Sequence, residues 1–218
     1  MFDKQGAWKH RGKRLWQFFW NDDSLSSWIA NLIVAFLLIR FIFYPVLGLV
    51  LGTGYPLVAV ISESMEHGLH DEVICGQQFS DFPESFNHYW DACGSWYEEK
   101  GLTKEQFKKF GFRNGFNKGD VIILWRPTHL EVGDILVFQG GKPQPIIHRI
   151  VKVWQEDGQT YYQTKGDHNS GSLTGPDGEE KIGSERILGK GLVRVPYLGW
   201  VKILFVDAVK PLGINIQR

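Results

Sequence analysis

The longest apolar stretch of the chain, residues 28–54, predicts a transmembrane helix. It contains a single charged residue, Arg40, and about 20 apolar residues are enough to cross a bilayer. We expect the span to cover residues 25–44. Arg40 would then lie in the last turn, where its guanidinium can reach the headgroups. Pro45 would end the straight helix, and residues 45–54 would lie along the membrane surface.

A buried helix and a cleaved signal peptide both fit this stretch less well. A buried helix of a soluble domain would be shorter and less uniformly apolar. A cleaved signal peptide would have a shorter apolar core, followed by an A-x-A-like site that does not follow here. We therefore expect a retained anchor, with about 165 residues outside the cytoplasm.

Beyond the anchor, short runs rich in Val, Ile and aromatic residues alternate with Gly, Pro and Asp, which is typical of strands and turns. Short strands at this spacing indicate a β-barrel or sandwich-like domain rather than βαβ units. The predicted strands are residues 57–61, 121–125, 134–138, 146–154, 161–165 and 189–195. The predicted fold class is mainly β, with one N-terminal transmembrane helix before a β-rich domain that carries a partly helical insertion.

Charge divides the chain into the same parts, although 24 basic and 24 acidic residues leave a formal net charge of zero. Five basic side chains in residues 1–27 place that end in the cytoplasm by the positive-inside rule. A zero balance argues against nucleic acid as the main partner. The predicted domains are a cytoplasmic segment at 1–24, an anchor and juxtamembrane segment at 25–54, and an extracytoplasmic domain at 55–218 with an insertion at 68–117.

Two serines follow the first predicted strand. Ser62 and Ser64 are two positions apart, so their side chains leave the same face if the strand continues. A serine nucleophile needs a general base and a donor for the oxyanion, and the Ser62 hydroxyl is a candidate donor. Serines at a strand end are also common hydrogen-bonding residues of turns. The pair alone therefore does not decide its role.

Further motifs follow in order: G-D before hydrophobic residues at 119–120 and 133–134, I-H-R-I at 147–150 and T-K-G-D-H-N at 164–169. Together with S-E-S-M at 62–65 and the preceding anchor, the sequence resembles signal peptidase I, specifically its archaeal and endoplasmic-reticulum branch. The resemblance covers residues 57–70 and 117–200.

This resemblance implies a membrane-bound serine endopeptidase that removes signal peptides from exported preproteins. Ser64 would be the nucleophile and His148 the general base and then acid, while Asp167 would orient His148. The Ser62 hydroxyl and the Ser64 backbone N–H would hold the oxyanion. No cofactor is expected. The expected partners are preproteins and the lipid membrane, at the cell membrane or the endoplasmic reticulum, with partner subunits unknown.

The sequence departs from the family where the acid and base are expected. The branch commonly has a second acid about six residues after the first, but residue 173 is Leu, and Asp177 is an alternative partner for His148. His67 stands where the family usually has proline, which makes it a rival base. Two rival functions stay open: a non-catalytic domain that binds precursors or partner subunits, and a Ser-Lys peptidase that uses Lys152 or Lys165.

The insertion is the largest departure, since 54 positions separate Met65 from Gly119 where the family has about ten. It is acidic, with helices expected near 84–93 and 103–110. Cys75 and Cys93 could form a disulfide or remain free thiols. They could also join His67 and His70 in a metal site, although the spacing matches no standard zinc pattern. Near the C-terminus, the apolar run at 200–206 is too short to span a membrane.

Overall fold

The computed structural model describes residues 13–14, 16–126, 129–175 and 178–209. The chain divides into two compact units, with the boundary between Val50 and Leu51. A long helix begins after Ser24, whose hydroxyl accepts a hydrogen bond from the Ser27 N–H. This helix consists of α1 (Leu25–Leu38), a π-helical turn (Ile39–Phe43) and α2 (Tyr44–Leu51). Its 27 residues are long and apolar enough to cross a membrane.

The expected end of the helix at Pro45 is wrong, because the helix continues to Leu51. Proline lacks a backbone N–H, and its ring clashes with the carbonyl four residues earlier in a regular α-helix. The π-helical turn ends at Phe43, two positions before Pro45, and the Tyr44 N–H donates to the Ile39 carbonyl five residues earlier. Such a wider turn is a known way to accommodate a local irregularity within a helix. Arg40 consequently lies near the middle of the helix rather than in its last turn.

Six strands of the second unit form one antiparallel sheet within the described residues. They are β1 (Leu57–Ala59), β4 (Val121–Trp125), β5 (Ile135–Phe138), β6 (Ile146–Glu156), β7 (Gln159–Lys165) and β8 (Ile187–Val195). Their order in the sheet is β1-β4-β8-β5-β6-β7. The mainly β fold class is confirmed, and each strand overlaps a run predicted from the sequence.

Strand β5 lies inside the sheet and is buried along its whole length. Alternate residues of a strand point to opposite faces. Accordingly, Ile135 and Val137 pack into one apolar cluster with Ile122, while Leu136 and Phe138 pack into another. Both faces of the sheet are therefore covered at β5, the strand that pairs with β6. This packing stabilises the position of the β6 residues.

The insertion forms a subdomain that packs its core against Val151 of β6. It contains a hairpin of β2 (Val73–Ile74) and β3 (Gln77–Gln78), followed by α3 (Phe86–Glu99) and α4 (Lys104–Phe107). Both helices lie near the positions expected from the sequence. Their starts are capped by the hydroxyls of Ser85 and Thr103. The buried core residues of this subdomain include Ile74, Tyr89, Trp90, Cys93, Tyr97 and Phe107.

The C-terminal apolar run forms a further helix, α5 (Trp200–Val209). Ile203 and Val206 are buried, whereas Leu204 and Phe205 are exposed. The helix therefore has one buried face and one exposed face.

Of the alternatives for the two cysteines, the structure has the disulfide between Cys75 and Cys93. It links the β2–β3 hairpin to α3 across 18 positions of sequence. Both sulfurs are consumed by this bond. The metal site considered from the sequence therefore loses its two thiolate ligands.

Reducing this disulfide should lower the free energy of unfolding by about 3 kcal/mol, because a closed loop of this length restricts the unfolded chain. Urea unfolding of the purified protein in detergent, followed by tryptophan fluorescence with and without dithiothreitol, measures the difference. The double variant Cys75→Ser/Cys93→Ser is the control and should not respond to dithiothreitol. A wild-type protein equally stable with and without the reductant would contradict the prediction.

Candidate active site

The structure brings Ser62, Ser64 and His148 together. Strand β1 ends at Ala59, so both serines lie in the loop that follows, while His148 lies buried in β6 opposite Leu136. His148 Nε2 is 2.9 Å from Ser64 Oγ. Ser62 Oγ is 3.1 Å from Ser64 Oγ. The Ser64 hydroxyl is therefore in contact with a basic nitrogen and with a second hydroxyl.

Glu179 holds the other side of the histidine ring. Its Oε1 forms a hydrogen bond with His148 Nδ1 and accepts a second one from Thr164 Oγ1 at 2.8 Å. Its Oε2 accepts a hydrogen bond from the Leu173 N–H at 2.6 Å. A carboxylate accepts hydrogen bonds and does not donate them, so the contact with the buried Glu179 favours a proton on His148 Nδ1. In that tautomer Nε2 has its lone pair toward Ser64 Oγ.

The backbone around Glu179 determines where this carboxylate lies. The Glu179 N–H donates to the Leu173 carbonyl, and the Thr164 N–H donates to the Glu179 carbonyl. The loop after β7 therefore folds back on that strand and delivers Glu179 beside His148. Leu173, at the position where a second acid was expected, instead holds Glu179 through its backbone carbonyl and N–H.

Asp167, which was expected to orient His148, has its carboxylate on other partners in the structure. The Asp167 carboxylate forms a bidentate ion pair with Arg149, at 2.9 Å from Oδ1 to Nε and 2.7 Å from Oδ2 to Nη2. It also accepts hydrogen bonds from His67 Nε2 at 2.9 Å and from Tyr97 Oη at 3.1 Å. Both carboxylate oxygens are thus used away from His148. The alternative partner Asp177 lies outside the described residues.

The electrostatics of Asp167 are those of an ionised buried group. Burial alone would raise the pKa of Asp167, but the Arg149 charge and the hydrogen bonds from His67 and Arg149 lower it well below its ordinary value. Arg149 is itself fully buried, and its remaining N–H groups donate to the carbonyls of Gly111, Gly133 and Phe112. Every N–H of the guanidinium therefore has a hydrogen-bond partner, two of them on the Asp167 carboxylate.

The rival bases have other contacts. Besides its hydrogen bond to Asp167, the ring of His67 stacks on the Tyr89 ring at 3.5 Å between centroids, and burial lowers the pKa of His67. Burial also lowers the pKa of Lys165 to about 8, and its Nζ donates to the carbonyls of Gly166 and Asp167. Lys152 is exposed on β6, with its Nζ over the Trp154 ring.

A cavity of about 320 Å³ opens on the serine pair. It is lined by residues 59–62 and Ser64 after the start of β1, by residues 144–148 at the start of β6, and by Phe116, Asn169 and Leu173. Its lining is mainly apolar. A larger cavity of about 570 Å³ lies beside His67 and Arg113. We place the candidate site in the smaller one because Ser64 and His148 both line it.

Glu179 is the residue of the candidate site that the sequence analysis did not identify. It lies in the run G-E-E-K at 178–181, which belongs to none of the recognised motifs. The available signal was weak: three acids, Asp177, Glu179 and Glu180, follow the expected position of the second acid. Only the fold of the loop distinguishes them.

A buried carboxylate, a histidine and a serine hydroxyl joined in this order are the arrangement that serine hydrolases use. Comparison with known proteins identifies a specific group of proteins to which the chain is similar. The chain is similar to catalytic subunits of the signal peptidase complex, which confirms the resemblance drawn from the motifs. No protein-family model matches the chain.

The aligned region is about 100 residues in each case. The chain is 34% identical over 99 residues to subunit SEC11 of Colletotrichum graminicola, which covers 42% of the chain and 57% of the relative. It is 33% identical over 101 residues to SEC11C of Homo sapiens, an alignment that covers 44% of the chain and 53% of the relative. It is 36% identical over 98 residues to sec11 of Sclerotinia sclerotiorum, which covers 42% of the chain and 57% of the relative. The chain thus spans about half the length of the curated relatives it matches.

Proposed function

We propose that this protein is a membrane-bound serine endopeptidase that removes signal peptides from exported preproteins. The observation that carries the proposal is the hydrogen bond between Ser64 Oγ and His148 Nε2, with Glu179 on the opposite nitrogen. The similarity to signal peptidase catalytic subunits supports the substrate class. Glu179 takes the orienting role first expected of Asp167.

The proposed reaction begins with attack of Ser64 Oγ on the scissile carbonyl carbon. His148 Nε2 accepts the hydroxyl proton as the C–O bond forms, and Glu179 stabilises the imidazolium through Nδ1. His148 then gives the proton to the leaving amine as the C–N bond breaks. Water enters, loses a proton to His148 and hydrolyses the acyl-enzyme, which regenerates the Ser64 hydroxyl.

The tetrahedral intermediate needs donors for its oxyanion. The Ser62 hydroxyl is the first proposed donor, and the 3.1 Å distance between Ser62 Oγ and Ser64 Oγ supports this assignment. The Ser64 backbone N–H is the second proposed donor. Removing one such donor typically costs about 10²-fold to 10³-fold in kcat.

The apolar cavity and the sheet edge support an extended substrate. Strand β1 is an edge strand, so its outer side can pair with an added strand just before the chain reaches Ser62. Signal peptides end in a small-residue cleavage stretch after an apolar core. We propose that this stretch pairs beside β1 and enters the cavity.

We propose that the helix Leu25–Leu51 anchors the protein, with the N-terminal end in the cytoplasm because of its basic residues. The catalytic domain would then work on the extracytoplasmic side of the cell membrane or in the endoplasmic reticulum. Partner subunits are also proposed, since the relatives are described as subunits of a complex.

Cleavage of a purified preprotein by the protein in detergent tests the function. We expect one cut after the small-residue stretch, identified by mass spectrometry of the mature product, and no cut by the Ser64→Ala variant. A preprotein whose small-residue stretch is replaced by bulky residues is the substrate control. Wild-type protein that retains the precursor on a column without cutting it would instead favour the non-catalytic binding domain.

A further inference from the structure

The insertion reaches the candidate site through two tyrosines of α3. Tyr89 Oη donates a hydrogen bond to the Asp167 carbonyl at 3.0 Å, and Tyr97 Oη donates one to Asp167 Oδ1 at 3.1 Å. Both tyrosines are fully buried, and burial raises the pKa of each well above its ordinary value. Both hydroxyls therefore keep the protons that they donate.

Asp167 belongs to a turn at residues 166–168 that packs directly on Ser64 and His148. The His168 N–H donates to the Ser64 carbonyl at 2.9 Å, and the Asp167 N–H lies 3.4 Å from Met65 Sδ. At Gly166 the approach is so close that an added Cβ would lie 2.8 Å from both His148 Nε2 and the Ser64 carbonyl oxygen. A shift of this turn would therefore move Ser64 relative to His148.

The disulfide ties the same turn to the insertion a second time. The Cys75 N–H donates to the His168 carbonyl at 2.9 Å, and Cys75 is bonded to Cys93 of α3. The hairpin and the helix therefore both hold the segment 166–168. Every residue in this series of contacts is buried or half-buried.

We propose that Tyr89 and Tyr97 are positioning residues for Ser64, which act through the turn at 166–168. The insertion is then part of the working site rather than an appended surface. This inference rests on the proposed function for its assay. A misplacement of about 1 Å can cost about 10²-fold in rate, so loss of one hydroxyl should lower kcat by about tenfold to a hundredfold.

The test compares Tyr97→Phe and Tyr89→Phe in the full chain, each of which removes one hydroxyl and keeps the ring. Tyr161→Phe is the matched control, because the Tyr161 hydroxyl meets Gln159 at the surface. Preprotein cleavage gives kcat and KM at a temperature where circular dichroism shows all four proteins folded. We expect kcat of the two variants to fall by the stated factor while their KM stays within about twofold of wild type. Both constants of the Tyr161→Phe control should stay within about twofold of wild type.

A second readout separates this inference from the proposed function. A phosphonofluoridate reacts with an activated serine, and mass spectrometry locates the label. The labelling rate therefore reports the reactivity of Ser64 beside His148 without needing a peptide substrate. Labelling of the wild type without preprotein cleavage would overturn the function alone, and slower labelling of the two variants would still support positioning. If one of the two Tyr variants fails to fold, the result for the other variant decides whether the inference holds.

Three outcomes would overturn the inference. In the first, the folded Tyr variants have kcat values and labelling rates within about twofold of wild type, while Ser64→Ala is inactive. The second is a raised KM at unchanged kcat, which would make the insertion a substrate-binding surface. The third is a wild-type Ser64 that is neither labelled nor active, which would overturn the proposed function as well.

Discussion

Replacing Ser64 with alanine should lower preprotein cleavage by about 10⁶-fold, and replacing Glu179 with glutamine should lower kcat by about 10⁴-fold. Alanine removes the attacking oxygen. The amide of glutamine would donate to His148 Nδ1 rather than accept from it, which moves the ring proton to Nε2. In that tautomer Nε2 cannot accept the proton of Ser64.

Glu180→Gln is the matched control for Glu179→Gln, since it makes the same change at the adjacent, exposed residue. Its kcat should stay within about twofold of wild type. Initial rates over several decades of enzyme concentration, with the same preprotein, give the comparison. A folded Glu179→Gln variant with more than about a tenth of wild-type kcat would remove Glu179 from the mechanism.

The second large effect concerns stability: Asp167→Asn should lower the free energy of unfolding by about 3 to 5 kcal/mol, because it leaves the Arg149 guanidinium buried without its carboxylate. The residue is fully buried, so solvent does not screen this loss. Asp81→Asn, which changes an exposed aspartate, is the control and should have little effect. Urea unfolding in detergent at pH 7 measures both.

The Asp167 contribution has a defined dependence on pH. Its pKa in the folded protein lies below that in the unfolded chain, where an aspartate has a pKa of about 3.9. The contribution is therefore fully present above about pH 4 and is lost as the pH falls further toward the folded pKa. The difference between wild type and Asp167→Asn should be constant from about pH 5 to 7 and shrink at about pH 3. A difference that does not shrink at the lower pH would contradict the stabilising role of the ion pair.

The strands of the domain were predictable because their signals are local. Apolar β-branched runs between Gly, Pro and Asp identify β4 and β6 within a few residues of their observed bounds. The approach of Ser64 to His148 followed from the order of the motifs, since these match a family in which the two residues meet. Neither inference needed knowledge of how the long loops fold.

The carboxylate partner of His148 was not predictable in this way. Asp167 has the family motif, but the neighbouring Arg149 attracts its carboxylate into a buried pair. Glu179 reaches His148 only because backbone hydrogen bonds with Leu173 and Thr164 fold the loop back. Such long-range backbone pairing leaves no periodic signal in the amino-acid sequence. The continuation of the helix past Pro45 likewise depends on a π-helical turn that composition does not reveal.

The three groups of the candidate site come from distant parts of the chain. Ser64 and His148 are 84 positions apart, and Glu179 follows His148 by 31. At about 5 to 20 residues per second, ribosomal synthesis separates the appearance of Ser64 from that of Glu179 by roughly 6 to 23 s. In the proposed mechanism, a growing chain would therefore carry its nucleophile without its base or acid. Cleavage by that mechanism would begin only after translation has passed residue 179.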